Sequence, residues 1–76
     1  MKIPMALEDL YPLLTSAIVA AEGSDRDGAA LWALVAELEA LASNHPDIGP
    51  LERANAEHGA LTASKRRDYL LRVEES

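Results

Sequence analysis

The chain has 76 residues, no cysteine and a net charge of −6 at pH 7. That length supports one domain, residues 1–76, which buries only about 60% of the surface its unfolded form exposes. The missing cysteines exclude disulfides and thiolate-bound metals, so regular helix packing or association must supply what a small core lacks.

Fourteen of the residues are alanine, phenylalanine is absent, and β-branched residues nowhere alternate with polar ones. Alanine and leucine favour helix, and a sheet has little to build on. The expected fold class is all-α. No run of eighteen apolar residues exists, and the apolar stretch after Lys2 is interrupted by Glu8, Asp9 and Pro12. A membrane span and a secretory leader are therefore not expected, and the reading is a cytoplasmic protein.

The first helix is expected over about 10–22, with Asp9 as N-cap and Pro12 inside the first turn. Leu10, Leu13, Leu14, Ala17, Ile18 and Ala21 form one stripe at i, i+3, i+4, i+7, i+8 and i+11. Gly23 is the expected stop. Ser24 and Asp27 resemble a capping box that opens a second helix over about 25–44, ended by Asn44, His45 and Pro46. Its stripe is Leu31, Leu34, Val35, Leu38, Leu41 and Ala42. The opposite flank is also apolar, because only Glu37 and Glu39 are polar between Ala29 and Ala42. A helix apolar nearly all round is normally covered on more than one side.

Pro50 opens a third helix over about 50–58, ended at His58-Gly59. Thr62 or Ser64 caps a fourth over about 63–74 that carries Tyr69, Leu70 and Val73. The expected architecture is a small helical bundle: an antiparallel hairpin of the first two helices with two shorter helices folded across it.

Few residues here suit catalysis. His45 and His58 each fall at an expected helix C-terminus, where an imidazole meets free carbonyls. Two histidines with Asp47 or Glu57 match no metal-ligand spacing. The serines and threonines occupy cap or helix-face positions with no nucleophile elbow, and no glycine-rich phosphate loop is present. Asp25-Arg26-Asp27-Gly28 lacks the later ligands of a calcium loop. Acyl carrier proteins are also short, acidic and helical, but they attach their prosthetic group to a serine that follows aspartate. No serine here does. The expectation is a non-enzyme with no cofactor and no metal.

Charge is uneven along the chain. Residues 1–50 hold eight acids against Lys2 and Arg26, whereas residues 51–76 are neutral and carry Lys65, Arg66, Arg67 and Arg72. Such a front half is a poor partner for nucleic acid. The basic cluster after Gly59 has the outline of a helix-turn-helix, which makes a DNA-binding regulator the alternative function. The leading expectation is a protein-interaction module of the inhibitor, immunity, antitoxin or accessory type, working as a homodimer. Its contact would be the small-residue flank Ala29, Ala33, Ala36 and Ala40 with Trp32 as aromatic anchor. Lys65, Arg66, Arg67 and Arg72 are a second candidate contact for protein or DNA. A subunit stable only within a larger complex is the third reading.

Overall fold

A computed structural model describes residues 5–24 and 28–75 of the chain. Three helices account for nearly all of them: α1 (Leu7–Glu22), α2 (Gly28–Ser43) and α3 (Pro50–Glu75). No strand occurs among the described residues. The all-α class is as the composition implies, but the third and fourth expected helices are one continuous helix of 26 residues.

α1 starts three residues earlier than Asp9 would set. Ala6 is its N-cap, without a side-chain cap, and the Ala6 carbonyl accepts the N–H groups of Asp9 and Leu10 at 3.0 Å each. Glu8 and Asp9 then lie in the first turn, where carboxylates oppose the positive end of the helix dipole. Pro12 falls inside the helix rather than at its start. Gly23 does end α1, with its N–H on the Val19 carbonyl at 3.1 Å. The expected start of α2 at residues 25–27 lies outside the described residues. Ser24 donates its hydroxyl back to the Ala21 carbonyl at 2.8 Å, serving α1. α2 ends where Asn44 and Pro46 placed its limit, with Ser43 Oγ and Asn44 Nδ2 donating to the Ala40 carbonyl at 2.9 Å. Pro50 is the first residue of α3, as read from the sequence.

α2 is the central helix. It packs against both α1 and α3, while no Cα of α1 comes within 8 Å of one in α3. The apolar core falls in two clusters. Leu10 joins Ala42, Ile48 and Ala56 at one end. Leu14, Ala17 and Ala21 join Trp32, Val35, Ala36 and Ala63 at the other. The start of α1 thus packs near the end of α2, and the end of α1 near its start.

The buried face of α2 differs from its leucine stripe. Gly28, Trp32, Val35, Ala36, Glu39 and Ala42 are buried, whereas Leu34 and Leu41 are exposed. On α1, Leu10, Leu14, Ala17 and Ala21 are buried as expected, but Leu13 is exposed. The shift on α2 has a plain cause: it must serve two neighbours on different sides, so its buried arc centres between them rather than on the leucines.

Six of the eleven buried apolar residues are alanines, and Leu10 is the largest side chain buried completely. Close helix approach, rather than side-chain volume, holds this core together. Replacing Leu10 with Ala leaves a cavity at a completely buried site, and a loss of ~2–5 kcal/mol in unfolding free energy is expected. Leu34→Ala, on the exposed strip of α2, should change stability by less than about 0.5 kcal/mol. Urea titration followed by circular dichroism measures both, and equal losses would mean that the buried face has been misassigned.

Candidate functional site

Because the backbones of α1 and α3 stay apart where they flank α2, and their side chains touch only in places, they leave a groove floored by α2. Its floor is a stripe of Trp32, Val35, Glu39 and Ala42, at i, i+3, i+7 and i+10. Two adjoining depressions of about 300 and 320 Å³ make up the groove, and Glu39 lines both. Leu14, Glu52 and Asn55 flank the first. Ile18, Glu22, His58, Thr62 and Arg66 flank the second.

Glu39 is the unusual member. Its residue is only 8% exposed, and its carboxylate accepts no hydrogen bond and forms no ion pair with any described residue. Burial holds its pKa above the ordinary carboxylate range. Gly59 explains how the group fits. A Cβ built on Gly59 would fall on the Glu39 carboxyl group, 2.6 Å from its carbon. The glycine read from sequence as a helix stop is a notch in the wall of a continuous helix. It neither turns the chain nor takes a positive φ.

This arrangement opposes stability twice. A glycine inside a helix costs about 1 kcal/mol relative to alanine, and partial desolvation of a carboxylate without a protein partner adds a further penalty. Perturbed acids set among features that oppose stability concentrate at functional sites.

The two ends of the groove are tied by side chains. Tyr11 donates its hydroxyl to Glu52 Oε2 at 2.8 Å, joining α1 to α3 at one end. This bond, above all, raises the Tyr11 pKa. Near the other end the Arg66 guanidinium lies 4.7 Å from the Trp32 ring centroid, a cation–π contact of about 0.5–1 kcal/mol where exposed.

The residues singled out in the sequence fall in different places. Trp32 is buried on the groove floor. Ala36 is buried and shares a cluster with Ala63 of α3, while Ala29, Ala33 and Ala40 are half-buried. A Cβ on Gly28 would lie 2.8 Å from Leu70 Cδ1, so α3 follows α2 closely to its first residue. The outward strip of α2 is instead Ala30, Leu34, Glu37 and Leu41. A charge introduced at Ala36 would break the α2–α3 seam before it reported on a second copy.

The basic residues do not form one surface. Lys65, Arg66 and Arg67 are consecutive on a helix and so point about 100° apart. Arg66 covers Trp32, Arg67 pairs with Asp68 at 3.0 Å, and Lys65 and Arg72 are exposed. The turn required by a helix-turn-helix at Gly59 is absent, because α3 continues through it.

Neither histidine sits as expected. His45 is buried just beyond α2 and meets the Met5 carbonyl through Nε2 at 3.0 Å, rather than the carbonyls of its own helix. Asp47 donates its N–H to Nδ1 at 3.1 Å, which assigns the proton to Nε2. This histidine anchors the segment before α1. His58 is exposed in the middle of α3. Among the described residues no three His, Asp or Glu side chains converge, and no helix is long and apolar enough to cross a membrane. No known family model, characterised protein or solved structure matches the chain.

Glu39 was visible in the sequence as a polar interruption of an apolar helix, but leucine spacing placed it off the core. The signal that identifies it is the Trp32, Val35, Glu39, Ala42 spacing, read together with a glycine that no proline follows.

Two stability measurements probe the notch. The folded chain holds the Glu39 proton more tightly than the unfolded chain does, so this group makes stability fall as pH rises through its raised pKa. Below the ordinary carboxylate pKa both states are protonated and the penalty is absent. Glu39→Gln should therefore be more stable than the parent at pH 7–8, with the difference shrinking as the pH falls through that window. A constant difference across the range would show that the carboxylate is not desolvated. Separately, Gly59→Ala should gain about 0.5–1 kcal/mol when Glu39 is also alanine and gain less, or lose, when Glu39 is intact. Additive effects in that double-mutant cycle would mean that the two positions do not touch.

Proposed function

We propose that this chain is a non-enzymatic protein-binding module whose docking face is the groove between α1 and α3, occupied by a helix of a partner protein. The observation that carries the reading is Glu39, a residue only 8% exposed whose carboxylate has no protein partner among the described residues and keeps its contact with solvent through the groove. Helices line both walls and the floor, and a further helix packs on such a surface at an interaxial distance of about 8–10 Å. The floor residues Trp32, Val35 and Ala42 are already buried, so the contacts of a docked helix would fall on the wall residues Ile18, Asn55 and Thr62 and on the Glu39 carboxylate.

The thin core supports the same reading. The chain exposes 5358 Å², against about 4,500 Å² expected for a compact monomer of 8.2 kDa. The excess agrees with an elongated body of 42 × 21 × 18 Å and an uncovered groove. A bound helix would complete a four-helix arrangement and stabilise the chain by mass action. An inhibitor, an immunity protein, an antitoxin and an accessory subunit all fit this description, and each acts by occupying a segment of another protein. The acidic groove and the dispersed basic residues favour protein over DNA as the partner.

Site-specific photo-crosslinking in the native host tests the reading. A benzophenone side chain at Ile18 or Thr62 should give an adduct with a helical segment of a different protein, located by mass spectrometry. The same group at Glu37, on the outer strip of α2, should not. Adducts only between copies of this chain would replace the partner with a homodimer, and adducts from position 37 alone would move the docking face away from the groove.

A further inference from the structure

The groove presents a demand for charge as well as an apolar floor. The Glu39 residue is mostly buried, but its carboxylate reaches solvent, has no partner among the described residues, and lines both depressions from the middle of the floor. Gly59 keeps clear the space the carboxylate occupies. Glu52 at one end and Glu22 at the other add negative charge to the walls. Of the two basic side chains in the lining, His58 makes no hydrogen bond or ion pair with Glu39, and Arg66 is stacked on Trp32. It is seven residues from Gly59, about 10.5 Å along the helix.

From this we infer that the partner segment is an amphipathic α-helix with one Lys or Arg in the middle of its apolar face, whose cation pairs with Glu39. The inference rests on the groove being the docking face. A neutral helix seated there would strip the last water from the carboxylate and leave it unpaired, the costliest outcome for a buried charge. A cation converts that penalty into charge-assisted hydrogen bonds, and the planar fork of arginine matches a carboxylate better than an ammonium does. Glu39 thereby rejects apolar helices that would otherwise fit, which is specificity by exclusion. A second copy of this chain is a poorer occupant. Its exposed Lys65 and the apolar Leu61 beside it share a stretch of α3 with Glu57 and Asp68, and those acids would meet Glu52 and Glu39. The floor helix is 16 residues long, about 24 Å, so a helix of about 18 residues fills it.

The test is a displayed library of 18-residue helical peptides with a Leu/Ala face and randomised central positions, selected on the intact chain and on Glu39→Gln. On the parent, Lys and Arg should be enriched at least tenfold at one central position, with bound peptides shifting the amide resonances of Ile18 and Thr62. On Glu39→Gln that enrichment should vanish while peptide binding persists. Glu39→Met serves as a second uncharged variant, and circular dichroism confirms that both remain helical. Peptides that shift the groove resonances yet show no central cation, or the same cation on Glu39→Gln, overturn the inference and leave the groove reading standing. Selected peptides that shift only Leu34 and Leu41, or an unaltered spectrum, overturn both. A carboxyl carbon resonance of Glu39 in the free chain that moves on Arg66→Ala would show an internal partner, and that also overturns the inference.

Discussion

The contact between the Glu39 carboxylate and the bare backbone of Gly59 organises this molecule. Without a Cβ at position 59, α3 leaves room for the Glu39 carboxyl group at the middle of the α2–α3 seam, and a side chain there would make that carboxyl move aside. Above and below that point the seam is made of small residues, Ala36 with Ala63 in one cluster and Ala42 with Ala56 in the other. Small residues permit close approach but bury little area. The α2–α3 pair therefore gains stability through length, over 16 and 26 residues respectively, rather than through any large interlocking side chain.

That division of labour decides where the groove lies. α2 has one neighbour on each side and a carboxylate between them. Had position 39 been leucine, α1 and α3 could have closed over it and sealed the core. A charged group keeps that region hydrated, and Tyr11–Glu52 ties the walls at one end without filling the space between them. Arg66 over Trp32 covers the largest apolar side chain of the floor in the same economical way. The guanidinium stays near solvent while its flat face shields the indole.

Much of this was legible in the sequence. Gly23, Asn44 to Pro46, and Pro50 mark real element ends, because each acts through local backbone chemistry that needs no knowledge of the fold. Gly59 misled for the same reason. Local propensity reads a glycine after histidine as a stop, but the preference it expresses is only about 1 kcal/mol. Packing along α2 outweighs that amount. The true stops have a proline or a side-chain cap beside them, and Gly59 has Ala60 and Leu61, which continue a helix readily. The leucine stripe of α2 failed on a different ground. A hydrophobic stripe locates a buried face when a helix has one neighbour, and α2 has two. Its apolar character all round did signal dual coverage, yet the coverage comes from α3 on the small-residue flank. Leu34 and Leu41 are the apolar side chains left facing solvent.

This rearrangement changes what the small-residue flank means. Small residues are what two helices need in order to meet closely, and Ala36 meets that requirement within the chain by packing with Ala63 of α3. Ala29, Ala33 and Ala40 are half-buried, and beyond them α2 offers its outer strip and the groove floor. The outer strip offers two leucines and Glu37, with nothing buried that demands a partner. The floor offers less exposed apolar area but a carboxylate with no protein partner, and a charge that a bound partner would cut off from water is the stronger constraint on what can bind. Exposed leucines are common on folded proteins and need no explanation, whereas a carboxylate set in a mostly buried residue without a donor does. Weighing the two faces by what each leaves unpaired, rather than by how much each exposes, selects the floor.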